Sequence, residues 1–141
     1  MLAPGGDYTK PNYAYSPPLR KFVDGLPGLT SAGTNNLGQY VPIAVVDKTS
    51  YPGSDYYELA EVEYVEQLHT DMPPVAGTNK TAGTGGSRIR GYVQIEPPGA
   101  TTVPAGSAHV ALTYPDGAPI LFGGNPVYGY DEPHYLGPAP L

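Results

Sequence analysis

The sequence predicts an all-β fold preceded by a loop-like arm. Gly 19 and Pro 18 together make 37 of 141 residues, or 26%, and their spacing leaves only short stretches in which a regular element can run. Those stretches are rich in Tyr, Val and Ile, which fit a pleated, half-buried surface. They recur at roughly 10 to 15 residue intervals, the spacing of a sandwich or barrel and not of a helical bundle. Leu, Val, Ile and Phe reach only about 20% of the chain, so the 13 Tyr must supply much of the apolar area of a core. A charged fraction of 14% and a net charge of -6 separate the composition from that of a disordered polyelectrolyte.

The first 54 residues form a Pro/Gly-rich arm. Pro4, Pro11, Pro17, Pro18, Pro27, Pro42 and Pro52 each fix φ and remove a donor, which excludes a long helix or a central strand. One short helix is expected at residues 17–24, capped by Ser16, with Leu19, Phe22 and Val23 on one face. Residues 28–39 read as loop, and Tyr40 to Val46 as a brief extended edge segment carrying Pro42.

Residues 55–141 form the β-domain. Residues 55–69 are the longest stretch without Gly or Pro. Leu59, Val62, Val65 and Leu68 keep a helical spacing and Asp55 with Glu58 resembles a capping box, whereas Ala60, Val62, Tyr64 and Leu68 keep period two; the Tyr and Val content favours a strand. Met72-Pro73-Pro74 ends it, and Val75 to Ser87 reads as a flexible loop. Ile89 to Glu96 is a second strand, with Ile89, Val93 and Ile95 on one parity, stopped by Pro97-Pro98-Gly99. Two apolar runs, Ala108 to Tyr114 and Ala118 to Phe122, flank Pro115-Asp116-Gly117 and predict a hairpin on a type I turn whose Gly takes positive φ. A last short strand is expected near Val127 to Tyr130.

Little in the chain points to chemistry. With 7 basic against 13 acidic residues there is no electrostatic footprint for nucleic acid. No apolar run approaches the length of a membrane span, and no Cys is present for a disulfide or a thiolate site. Residues 1–6 lack a basic patch followed by an apolar core, so no secretory signal is expected there. His69, His109 and His134 form no H-x-H or H-x(3)-H pair and read as structural or surface residues, as do Glu58, Glu61, Glu63 and Glu66, expected to face solvent or neighbouring bases. The pairs His69 with Asp71, and Asp131 and Glu132 with His134, reach a site only if the fold gathers them. Gly83 to Ser87 lacks the Lys of a phosphate loop. Asn79-Lys80-Thr81 matches a glycosylation acceptor. No catalytic, cofactor-binding or metal-binding residue is expected in this chain.

Several segments together resemble a family. Lys21-Phe22-Val23-Asp24-Gly25-Leu26-Pro27, then Asp55-Tyr56-Tyr57-Glu58-Leu59, then Leu68-His69-Thr70-Asp71-Met72-Pro73-Pro74, resemble the N-terminal region of bacterial multicopper oxidases of the spore-coat laccase and bilirubin-oxidase-like group. Arg90-Gly91-Tyr92 is similar to that group's L-x-G-Y, and Pro133 to Pro138 to its P-G-P-T-I stretch. The resemblance spans about residues 19–138 and implies a partial cupredoxin-like Greek-key sandwich. The group's copper ligands come from H-x-H motifs after the G-P-T-I stretch and from a C-terminal cluster with a Cys. None of these motifs occurs here, so no copper-binding or catalytic role transfers to any position, His69 included. Copper is implied only for a complete oxidase, which would oxidise phenols or metal ions with dioxygen.

Two functions follow as expectations. In one, the chain is a noncatalytic N-terminal part of a multicopper oxidase, an oxidoreductase only in its full-length form, truncated before the copper-ligand motifs. In the other, it is a stand-alone structural or assembly subunit of an extracellular filament or coat. The expected partners are the remainder of the oxidase or other copies of the chain, met through unpaired strand edges. Location is left open by the sequence, with an extracellular or cell-surface setting favoured by the assembly reading.

Overall fold

A computed structural model describes residues 19–98 and 108–141. Among them the regular structure is almost all antiparallel β, with one 3-10 turn at Ser31–Gly33 and no α-helix. The all-β expectation is therefore met.

The longest ribbon is β1 (Leu59–Glu66) paired antiparallel with β4 (Ser87–Gln94), in register from Leu59 opposite Gln94 to Glu66 opposite Ser87. Period two fixes its faces. Ala60, Val62 and Tyr64 point inward with Ile89 and Val93, while Glu61, Arg88, Arg90 and Tyr92 face out. Gly91 opposes Val62, and a Cβ there would lie 3.2 Å from the Tyr64 ring. Glycine at this position leaves room for the largest fully buried side chain of the core.

Val75 to Ser87, expected as loop, carries some regular structure. It holds a small hairpin of β2 (Val75–Ala76) and β3 (Thr84–Gly85) that covers the other face of β1 at Val65, which is also buried. The physical reason is close backbone approach. A Cβ on Gly83 would lie 2.6 Å from Val65 Cγ2, and Gly85, at φ 76, runs against the Pro74 carbonyl.

The hairpin around Pro115-Asp116-Gly117 forms. Gly117 N–H donates to the Tyr114 carbonyl (2.9 Å), Gly117 takes φ 86, and Tyr114 N–H donates to Ala118 O (2.8 Å), a type I turn followed by a left-handed glycine. Its ladder is short, because β5 (Val110–Ala111) pairs instead with β8 (Tyr128–Gly129), and β6 (Leu121–Phe122) folds back on β7 (Asn125–Pro126). Gly123 and Gly124, both at positive φ, make this second turn, of two residues where the first has three. β8 also continues the first ribbon, since Glu96 N–H donates to Tyr128 O and Tyr130 N–H to Gln94 O. Val62, Tyr64, Val93 and Leu112 form the buried cluster, with Ile89, Ile95, Ile120 and Val127 packed on it.

Of the helix expected at 17–24, residues 19–24 are described and contain a turn instead. Phe22 sits at φ 60 with its side chain fully exposed, so the apolar face that would stabilise a helix there has nothing to bury against. The remaining residues of that helix lie outside the described region. From residue 24 on, the arm is stitched to the β-domain at single bridges: Ile43 beside Ala139 and Asp47 beside Tyr56, with Leu29 beside Val41 within the arm itself.

Candidate functional site

The three histidines lie in three different settings. His69 belongs to a latch between the arm and the end of β1. Its Nδ1 accepts from Asp71 N–H (2.9 Å), which leaves the ring proton on Nε2, donated to the Arg20 carbonyl (2.7 Å). Arg20 grips Asp71 from its backbone N–H (3.0 Å) and from Nε and Nη2 (3.0 and 2.6 Å to Oδ1). These hydrogen bonds and the guanidinium charge hold the Asp71 carboxyl down to about 2. Asp24 accepts from Thr70 through both its backbone N–H (3.0 Å) and its hydroxyl, and from Asn36 Nδ2 (2.7 Å). The fold thus gathers His69 with Asp71, as residues of a surface clasp whose polar atoms bond to one another.

His109 sits at φ 51, stacked on Tyr128 (centroids 4.3 Å apart, planes 8° apart), with Nδ1 2.8 Å from the buried Glu96 carboxylate. The contact ties together the two ends of the 97–108 segment.

His134 is buried and anchors the third cluster. Parity on β1 carries Glu66 inward, where it is 2% exposed: it faces a neighbouring base, as one of the two expected settings had it, but buried and not at the surface. Lys80, from the turn between β2 and β3, reaches it at 3.2 Å, donates to the Pro133 carbonyl (3.2 Å) and lies 3.4 Å from His134 Nδ1. Burial raises the Glu66 carboxyl above its ordinary range and the Lys80 charge opposes that shift. Burial, with Lys80 alongside, lowers His134 to about 3, so the ring is neutral. Among the described residues its Nε2 has no hydrogen-bond partner, and it stands 3.9 Å from Asp131 Oδ1. Tyr40 packs on the ring at 4.0 Å and donates its hydroxyl to Asp131 (2.7 Å). Asp131 and His134 are therefore brought together, while Glu132 lies next to them with a carboxyl that burial raises. The other three glutamates are less enclosed, and Glu63 faces Arg88 and Arg90 across the outer face of the ribbon at 3.6 and 3.7 Å.

Asn79, the sequon residue, is engaged within the fold. Its Nδ2 donates to the Ala111 carbonyl (2.7 Å), and its Oδ1 accepts from Thr81 N–H (2.9 Å) and Oγ1 (2.7 Å). Thr81 is fully buried, and because its single hydroxyl proton goes to Asn79, its oxygen accepts from Thr113 Oγ1 (2.7 Å) and N–H (3.1 Å).

Two residues that hold the structure together gave no signal in the sequence: Gln94, whose side-chain amide exchanges hydrogen bonds with the Val45 backbone of the arm, and Lys80, read only as the middle residue of a sequon. Among the described residues, no group of three or more His, Asp or Glu side chains is arranged to hold a metal ion. A cavity of about 580 Å³ lies where the arm crosses β4 and the Tyr130–Glu132 segment. A smaller one, about 340 Å³, lies between Glu58, Glu96 and the β6–β7 hairpin. Set against protein-family models, characterised proteins and solved structures, the chain matches none.

Proposed function

We propose that the chain is a structural, noncatalytic N-terminal part of a multicopper oxidase, a partial cupredoxin-like Greek-key sandwich completed by strands from the rest of the enzyme. The observation that carries this reading is the imbalance of its apolar surface. Five hydrophobic side chains among the described residues are buried, Val62, Tyr64, Val65, Val93 and Leu112, while Phe22, Leu26, Phe122, Tyr135, Leu136 and Leu141 are among many left more than half exposed. A core that small leaves little margin over conformational entropy, so further burial against another polypeptide stabilises the chain. The reading is also supported by the joining of two segments that carry the resemblance, since Asp24 of the first is bonded to Thr70 of the second. In the complete oxidase, copper would oxidise phenols or metal ions with dioxygen, and this chain would contribute scaffold alone.

The exposed Leu121 and Phe122 of the β6–β7 hairpin favour a second reading, a stand-alone assembly subunit, because a two-stranded hairpin presents free edges to another copy. Size-exclusion chromatography of the pure 141-residue chain, with copper analysis and a phenol-oxidation assay, tests both. The scaffold reading expects no stoichiometric copper, no oxidation and ill-defined association that becomes a defined complex when the remainder of an oxidase is co-expressed. Regular filaments of the chain alone would favour assembly, and one tightly bound copper per chain with phenol oxidation would overturn both.

A further inference from the structure

The 580 Å³ cavity has a composition that selects one class of ligand. Its walls are apolar and aromatic, with Pro42, Ile43, Val45 and Val93 beside Tyr40, Tyr92 and Tyr130. Its charged groups are Asp131 and Glu132, and among the described residues no Lys, Arg or His side chain lines it. Gln94, the lining amide, is already paired with the Val45 backbone. Asp131 accepts from the Tyr40 hydroxyl and from Glu132 N–H (2.8 Å), which leaves acceptor capacity on a carboxylate with about four lone-pair sites. The Glu132 carboxylate accepts no hydrogen bond from the described residues. Lys80 acts on Glu132 from a distance, but its ammonium is bonded to Glu66 and Pro133. Two neighbouring acids with spare acceptors share the wall with hydroxyls of Thr30, Ser31, Tyr92 and Tyr130 but with no cation among the described lining residues, so the positive charge has to come from the ligand.

We propose that this cavity binds a small organic ammonium, a primary amine carried on an aromatic or apolar body. The carboxylates would accept its N–H groups as charge-assisted bonds, and the tyrosine rings and aliphatic wall would take the body. Its volume is within the range of about 300 to 1,000 Å³ typical of small-molecule sites. A carboxylate ligand meets two like charges there, and a neutral alcohol supplies a single donor, so charge sets the selectivity.

Isothermal titration calorimetry of the full chain with phenethylammonium, 2-phenylethanol and 3-phenylpropionate tests the assignment. The ammonium is expected to bind, to weaken as salt rises, and to weaken at least about tenfold in Glu132→Gln, given the strength of hydrogen bonds to charged groups. Ala44→Phe, which fills the cavity and leaves both acids in place, is expected to abolish binding. Circular dichroism melts of both variants establish that they fold. Absence of ammonium binding up to about 10 mM, where affinity falls below roughly 3 kcal/mol, overturns the proposal. So does equal binding of the alcohol or the acid, or unchanged affinity in folded Ala44→Phe. None of these readouts depends on copper or on an oxidase partner, so the cavity assignment and the scaffold reading fail separately.

Discussion

The side chain of Gln94 and the backbone of Val45 exchange two hydrogen bonds: Val45 N–H donates to Gln94 Oε1 (2.7 Å) and Gln94 Nε2 donates to the Val45 carbonyl (2.5 Å). The primary amide replaces a strand residue, closing the ring that a backbone amide would close in a ladder. Gln94 ends β4 and is 6% exposed, so this part-buried contact joins the arm to the main ribbon. In Gln94→Leu both Val45 groups lose their partner, and a loss of about 3 kcal/mol is expected. Urea unfolding should show the lower midpoint, and limited proteolysis should cut the arm between residues 43 and 50 faster than in the native chain.

The Lys80 and Glu66 pair predicts a non-additive cycle. Lys80→Met leaves an inward carboxylate without its counter-charge and is expected to cost about 3 to 5 kcal/mol at neutral pH. The Glu66 carboxyl is already raised by burial. In the variant the folded state holds its proton more firmly than the unfolded state does, so stability is recovered as pH falls and lost as pH rises. Lys80→Met with Glu66→Leu should lie much closer to the native chain than the sum of the single changes. Equal melting temperatures for the single and double variants would contradict the pairing.

His134 sets a pH dependence of opposite sign. Its folded value is about 3 against 6.5 for the free ring, so between those limits the unfolded chain binds more protons. Stability is complete above about pH 6.5 and falls by about 1.4 kcal/mol per pH unit on acidification. His134→Phe keeps the packing against Tyr40 and removes this dependence. Denaturation midpoints measured from pH 7 to pH 4 should fall less steeply in the variant, and parallel slopes would rule out a buried neutral ring.

Asn79 predicts competition between folding and glycosylation. Its Nδ2, the atom a glycan would occupy, donates to Ala111 O, and Asn79→Ala removes three hydrogen bonds around a fully buried Thr81. A loss of about 2 to 3 kcal/mol is expected by thermal melting. Material secreted from a glycosylating host should have the unmodified mass in its folded fraction, with any glycan confined to misfolded chains.

The sequence by itself determined where the two long strands run and which parity of them turns inward. Ala60, Val62 and Tyr64, like Ile89 and Val93, are inward because a strand alternates faces whatever it packs on. It also determined the Tyr114 to Ala118 turn, since proline, aspartate and a left-handed glycine encode that geometry locally. Tertiary structure decided the rest. Leu68 has the expected spacing but is exposed, while Glu66 is buried, because the Lys80 turn and the Pro133–His134 segment cover β1 at Glu66. Residues 19–24 lack the expected helix because Phe22 finds no surface to bury against. Gln94, Asn79 and Lys80 look like ordinary polar residues in a linear reading. Their roles depend on Val45, Ala111 and Pro133, 49, 32 and 53 residues away. Local pattern encodes backbone conformation and facing, whereas the partner of a polar group is set by which distant segment the fold lays beside it.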